Sequence, residues 1–277
     1  MQRVQFELAA GTFHALEGEG KRRLVFLHGF PDQPPTARPF FAELRERGYH
    51  VLAPWLRGYA PSPRTGRYDP MTLADDIVAL IDAWSPDEPV DIVGHDWGAV
   101  IAYFVCTFAP ERIGRAVTLA VPHPRAFEKQ LRSPTQLKAS WYMGLFQLPG
   151  SGWLVAGDDF ALVDRLWRKW SPGYRLPEAD RIALHATLRA SMPAPLQYYR
   201  DALRRAPALR KLELPLITVP TLALHGADDG CILPPTSNDD SRFFGAPFER
   251  AVLPGLGHFL HLEAPADIAN RIAAFRS

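Results

Sequence analysis

Along roughly the first 120 residues, short apolar runs alternate with longer stretches in which apolar positions recur every three or four residues. Val4–Leu8 and Thr12–Leu16 flank Ala10-Gly11, which predicts an antiparallel pair. Leu24–Leu27 is apolar without alternation, the pattern of a strand buried on both faces. Ala37–Arg47 reads as a helix ended by Gly48, and His50–Ala53 as the next strand. Thr72–Trp84 carries Leu73, Ile77, Leu80 and Ile81 on one helical face. Val90–Val93, Gly98–Ala109 and Arg115–Ala120 then read as strand, apolar helix and strand. This alternation predicts βαβ units and a mostly parallel sheet with helices on both faces.

The rhythm changes over about 122–214, where helical periodicity dominates. Phe160, Val163, Trp167 and Trp170 share one face of a helix that Asp158 or Asp159 could cap. A second helix over Glu178–Ala190 carries Ile182, Leu184 and Leu188, and a third follows Pro195. Strand patterns resume at Thr221–His225 and Phe248–Val252, before a last helix from Pro265 with Ile268, Ile272 and Phe275 inward. The expected organisation is a core of 1–121 and 215–277 with a helical cap, or lid, inserted at 122–214.

Composition narrows the classes. The 277 residues include 31 Lys and Arg against 30 Asp and Glu, so no charge excess points to nucleic acid. The 27 prolines are roughly twice the ordinary usage of about 5%. They fall between periodic segments, and apolar content stays high, so they read as stiffened loops rather than disorder. The longest apolar stretch, Val100–Ala109, is too short to span a membrane. No apolar signal core follows the first residues, and the two cysteines, Cys106 and Cys231, are far apart. Two reduced thiols in a cytoplasmic protein are expected, with no metal motif and no cofactor.

The most informative pentapeptide is Gly94-His95-Asp96-Trp97-Gly98, between an apolar strand and an apolar helix. That is the setting of the nucleophile elbow, normally Gly-x-Ser-x-Gly. Here the central side chain is a carboxylate. A serine needs a base before it can attack, whereas an aspartate is ordinarily ionised and can attack an electrophilic carbon directly, forming an ester. The plainer alternative is that Asp96 only caps the helix. His28-Gly29-Phe30-Pro31 follows another apolar strand, where this kind of fold places an oxyanion donor; the N–H groups of Phe30 and Trp97 are the candidates. Asp228 and Asp229 follow the Thr221–His225 strand, and His258 follows Phe248–Val252. The order nucleophile, acid, histidine thus lies along one expected sheet edge, where open α/β sheets bind ligands.

These segments give the chain a resemblance to the α/β-hydrolase-fold epoxide hydrolases, the Asp-nucleophile branch related to haloalkane dehalogenases. HGFP at 28–31, RGY at 57–59, GHDWGA at 94–99, GADD at 226–229 and GHFLHLEAP at 257–265 are similar in order and spacing over essentially the whole chain. The resemblance implies Asp96 as nucleophile, His258 as base and Asp229 as its acid, with Asp228 the alternative. It also implies two lid tyrosines that protonate the epoxide oxygen. Gln197-Tyr198-Tyr199-Arg200 is similar to the motif of one, which selects Tyr199. Before Phe146-Gln147-Leu148-Pro149-Gly150, however, Leu145 stands where the other tyrosine belongs; Tyr142, three residues earlier, is the candidate replacement. His28 and His95 are expected to support their loops and His261 to pack. The implied partners are a small apolar epoxide and water. A haloalkane dehalogenase-type reaction, and a binding protein without turnover, are the alternatives.

Overall fold

The computed structural model describes residues 1–234 and 240–275. Among these, β1 (Gln2–Leu8), β2 (Gly11–Glu17), β3 (Arg22–Leu27), β4 (Tyr49–Pro54), β5 (Val90–His95), β6 (Ile113–Leu119), β7 (Thr221–Gly226) and β8 (Phe248–Leu253) form one sheet in the order β1-β2-β4-β3-β5-β6-β7-β8. The β1–β2 and β2–β4 pairs are antiparallel and the remainder parallel. Leu24 to Leu27 are wholly buried, as their unbroken apolar run requires of a strand covered on both faces.

Helices α1 (Arg38–Glu46), α2 (Pro70–Trp84) and α3 (Trp97–Phe108) connect the strands of the first half. The chain winds outward from β3 to β4, then returns to place β5 on the other side of β3. Such a reversal opens a crevice at the carboxyl ends of the two strands. HGFP leaves β3 there and Asp96 leaves β5 there, so topology brings together segments more than sixty residues apart.

Between β6 and β7 the chain is helical: α4 (Pro124–Gln130), α5 (Pro134–Ala139), α6 (Trp141–Leu145), α7 (Ser151–Trp170), α8 (Glu178–Ser191) and α9 (Gln197–Lys211). The three short helices before α7 had no individual signature in the sequence. The expected cap by Asp158 or Asp159 does not form. Residues 157–160 instead break α7, with Asp158, Asp159 and Phe160 in the left-handed region. The Asp159 carboxylate pairs with Arg189. Phe160, Val163, Trp167 and Trp170 are nonetheless buried together. Of the apolar residues carried by α8, Leu184 and Leu188 are buried and Ile182 is exposed. Leu184 and Leu188, four residues apart, share the packed face, whereas Ile182, two residues before Leu184, lies about 200° round the helix.

After β8, α10 (Leu260–Glu263) and α11 (Pro265–Ala274) close the fold, with Ile268, Ile272 and Phe275 buried as expected. No helix among the described residues is long and apolar enough to cross a membrane.

The RGY segment is a structural brace. Arg57 Nε and Nη2 donate to the two oxygens of Asp76 on α2, at 2.6 and 2.5 Å, and both side chains are buried. The Arg57 carbonyl accepts the Tyr198 hydroxyl of α9 at 2.5 Å, tying this loop to the helical segment. Asp76→Ala would strand a buried guanidinium, at an expected cost of about 3–5 kcal/mol, read as a lower denaturant midpoint.

Candidate active site

Asp96 sits between β5 and α3 at φ 51° and ψ −120°, a conformation strained for any residue with a side chain. Gly98 makes the turn possible: a Cβ there would lie 2.0 Å from the Leu27 carbonyl oxygen. The Asp96 carboxylate does not cap α3, contrary to the plainer reading of the elbow. It turns across to β3, where its Oδ1 accepts the Phe30 N–H at 2.8 Å. Its Oδ2 faces His258 Nε2 at 3.5 Å.

His258 Nδ1 lies 2.8 Å from Asp229 Oδ2, and both side chains are fully buried. The other Asp229 oxygen accepts the N–H groups of Cys231 at 2.7 Å and Ile232 at 3.0 Å. Asp228 is exposed, so the structure pairs Asp229, not Asp228, with the imidazole. Burial alone would raise the Asp229 carboxyl; the charge of His258 and bonds from His225 and His258 overturn this and hold it below the usual carboxylate range. Burial likewise opposes charge on His258, yet the carboxylates of Asp229 and Asp96 hold its imidazole above its ordinary value.

The loop histidines are neutral supports. Burial lowers His28 to about 4; its Nε2 accepts the Leu56 N–H at 3.2 Å and its Nδ1 donates to the Gly29 carbonyl at 3.0 Å. His95, lowered to about 3 by burial, donates from Nε2 to the His258 carbonyl at 2.9 Å. His261 packs as expected, against Phe26 and Phe40, and also approaches His95 with its ring centroid at 4.6 Å. Sequence reading gave no role to Asp32, yet the carboxylate is buried beside His95 and His261. Burial raises it to about 7 in spite of bonds from Thr36 and the Gln33 N–H.

A cavity of about 430 Å³ opens from Asp96 and Trp97 into the helical segment. Phe127, Leu131, Met143 and Leu203 give it apolar walls, and Tyr142 and Tyr199 both line it. Their rings stand 5.8 Å apart at 86°, with Phe146 packed against each. Tyr199 also meets Trp97 edge to face at 5.1 Å. Its hydroxyl is buried without a hydrogen-bond partner, while that of Tyr142 lies 3.2 Å from the Cys231 sulfur. Burial raises both phenols well above their usual value, so both stay protonated at neutral pH. Leu145, in the place where the resemblance implies a tyrosine, packs against the core half-buried. The cavity thus contains two phenols, the second supplied from one turn earlier in α6.

The helical segment is fastened to this site. The Trp170 carbonyl, at the end of α7, accepts the N–H groups of Gly230 at 3.2 Å and His258 at 3.0 Å. Next to it, Ser171 Oγ accepts the Phe259 N–H at 2.9 Å and donates to Glu263 at 2.7 Å. The approach is close enough that a Cβ on Gly257 would lie 2.6 Å from the Ser171 Cα. No sequence motif marked Trp170 or Ser171 for this work; their signal is only the run of apolar residues that buries α7.

Comparison with known proteins fits this arrangement. A family model described as the alpha/beta hydrolase family matches residues 24–271. Epoxide hydrolase 4 of Homo sapiens is 29% identical over 266 residues, covering 91% of this chain and 71% of that protein. Epoxide hydrolase A of Mycobacterium tuberculosis is 27% identical over 292 residues, covering 91% and 89%. Among solved structures, a variant of an epoxide hydrolase from Bacillus megaterium superposes with a TM-score of 0.85 at 25% identity, covering 98% of each chain. The epoxide hydrolase VrEH1 from Vigna radiata gives 0.83 at 27% identity, covering 98% and 96%.

Proposed function

The chain belongs to the alpha/beta hydrolase family, and from its likeness to proteins named epoxide hydrolases we propose that it adds water to an epoxide to give a vicinal diol, through an ester on Asp96. The observation that carries this reading is the disposition of the Asp96 carboxylate. One oxygen is held by the Phe30 N–H, the other faces His258, and the cavity in front contains an unpartnered phenol.

In the first step Asp96 Oδ2 attacks a ring carbon, the ring C–O bond breaks, and the oxygen takes a proton from a tyrosine. An alkoxide is a poor leaving group unless it is hydrogen-bonded as charge develops, and a protonated phenol supplies that bond. Tyr199 is the principal donor and Tyr142 the second, its hydroxyl drawn from Cys231 to the incoming oxygen. Before water attacks, the proton that His258 carries in the free protein passes to the tyrosinate left by the first step. In the second step water attacks the ester carbon and gives a proton to His258 Nε2. The Phe30 N–H, with that of Trp97, stabilises the resulting oxyanion. Collapse breaks the acyl C–O bond; the departing diol oxygen takes the proton that His258 received from water, and the carboxyl proton left on Asp96 returns to the ring, restoring the starting charges. Residues 122–214 act as the lid that carries the acid groups, and 1–121 with 215–277 as the core that carries nucleophile and base. The apolar cavity favours a small apolar epoxide as substrate.

Esterification removes the Asp96 charge 3.5 Å from the imidazole, leaving Asp229 as the sole carboxylate supporting the protonated ring. The His258 pKa therefore falls when the ester forms, which turns the ring into a base for the step that needs one.

Tyr199→Phe is expected to slow ester formation at least about tenfold, or roughly 1.4 kcal/mol of barrier. Tyr142→Phe is expected to give a measurable but smaller loss, because its hydroxyl must first leave the sulfur. Rapid-quench measurement of ester formation on an aryl epoxide checks both. Wild-type rates in both variants, with halide released from a haloalkane offered in parallel, would replace epoxide opening with dehalogenation.

A further inference from the structure

The mechanism has no use for the Cys231 thiol, yet the sulfur stands inside the reacting group of atoms. Cys231 Sγ, a carboxylate oxygen of Asp96 and a ring nitrogen of His258 all lie within 4.8 Å of one another. The three side chains are buried, and the cysteine is free. His258 Nε2, the nitrogen directed at Asp96, has no hydrogen-bond partner. Asp96 opens this cluster to the cavity, which provides a path of entry and room for a further ligand. A second cluster of possible ligands, Asp32, His95 and His261, lacks such a path, since none of the three lines the cavity.

One thiol sulfur, one imidazole nitrogen and one carboxylate oxygen are a donor set suited to zinc-like ions. Bond lengths of about 2.0–2.3 Å to such an ion call for ligand atoms closer together than 4.8 Å, so binding draws the three side chains inward. We propose that Asp96, Cys231 and His258 form a binding site for a thiophilic divalent cation of the zinc and cadmium class, which shuts off the enzyme by occupying its nucleophile and base together. On binding, the Cys231 thiol and the His258 imidazolium each give a proton to solvent as the metal–sulfur and metal–nitrogen bonds form, and the Tyr142 hydroxyl loses its sulfur partner. Magnesium and calcium, which favour oxygen ligands, gain nothing from the thiol and are excluded by that chemistry. The ordinary alternative is a buried cysteine that serves as a small apolar filler.

Titration of the metal-free protein with Co²⁺ or Cd²⁺ tests the site without reference to turnover. The expected result is a thiolate-to-metal charge-transfer absorption that saturates at one ion per chain. It should persist in Cys106→Ala and be absent in both Cys231→Val and Cys231→Ser, the second being the more conservative in shape. In parallel, Zn²⁺ should inhibit diol formation reversibly to a chelator. Each Cys231 variant, normalised to its own metal-free rate, should need at least about tenfold more Zn²⁺ for the same inhibition. No charge-transfer band in the wild type, a band that survives in a folded Cys231 variant, or unchanged zinc sensitivity in either variant would overturn the proposal.

Discussion

His258→Gln is expected to let the ester form and then to hold it, so that the protein accumulates in a covalently alkylated state. Glutamine keeps a polar group of similar reach but cannot take a proton from water. Loss of the base should lower steady-state turnover on the order of 10⁴-fold or more, with ester formation much less affected. Intact mass after mixing with an aryl epoxide should show the protein heavier by one substrate. Normal turnover, or no adduct despite slow diol release, would remove His258 from the second step.

The same residue sets a pH dependence with a definite sign. In the free protein the His258 imidazole is held above its unfolded value, so its contribution to stability is complete below about pH 6.5. That contribution is lost as pH rises through the folded value. After esterification the Asp96 charge is gone and the ring titrates lower. The single-turnover rate of ester breakdown should therefore level off at a lower pH than the one at which His258 titrates by NMR in the free protein.

Asp96→Ala is expected to abolish activity altogether, by a factor on the order of 10⁴ to 10⁶, while leaving the fold in place. The strained backbone at φ 51° belongs to the elbow and persists with alanine, but the electrophile then has no carboxylate to meet. The decisive measurement uses wild-type enzyme in labelled water under single-turnover conditions. The oxygen that enters the first diol should come from Asp96, leaving the label in the protein; later turnovers should deliver it to product. Label in the first diol would mean that water attacks the epoxide directly.

Much of this site was legible because each part is announced by neighbours in sequence. A glycine-framed Asp96 between strand and helix, an HGFP turn after a buried strand, and a histidine after the last strand are local patterns that parallel-sheet topology gathers at one edge. Asp229 and Asp228 are adjacent and chemically alike, so the choice between them depended on burial, which only the fold decides. Tyr142 was visible as an alternative to Leu145, but its meeting with Tyr199 depends on how α6 lies against α9. The proximity of Cys231 to Asp96 had no local sign at all. It arises because the loop after β7 turns back over the elbow, and a lone cysteine looks the same wherever it packs. The break at 157–160 was missed for a related reason: periodicity gives a helix face, not where the helix is interrupted.

The Trp170–Ser171 fastening bears on how such proteins diversify by recombination. It receives hydrogen bonds from both the acid loop and the histidine loop, so the helical segment helps to hold the residues beneath it. A chimera that exchanged 122–214 for a foreign segment would inherit new cavity walls, but it would also need a carbonyl and a hydroxyl at this junction. Grafts cut beyond Ser171, which leave the native junction on the host, should keep their hydrolytic loops ordered. Grafts that replace it must bring their own matching pair, so the practical unit of exchange is smaller than the whole insertion.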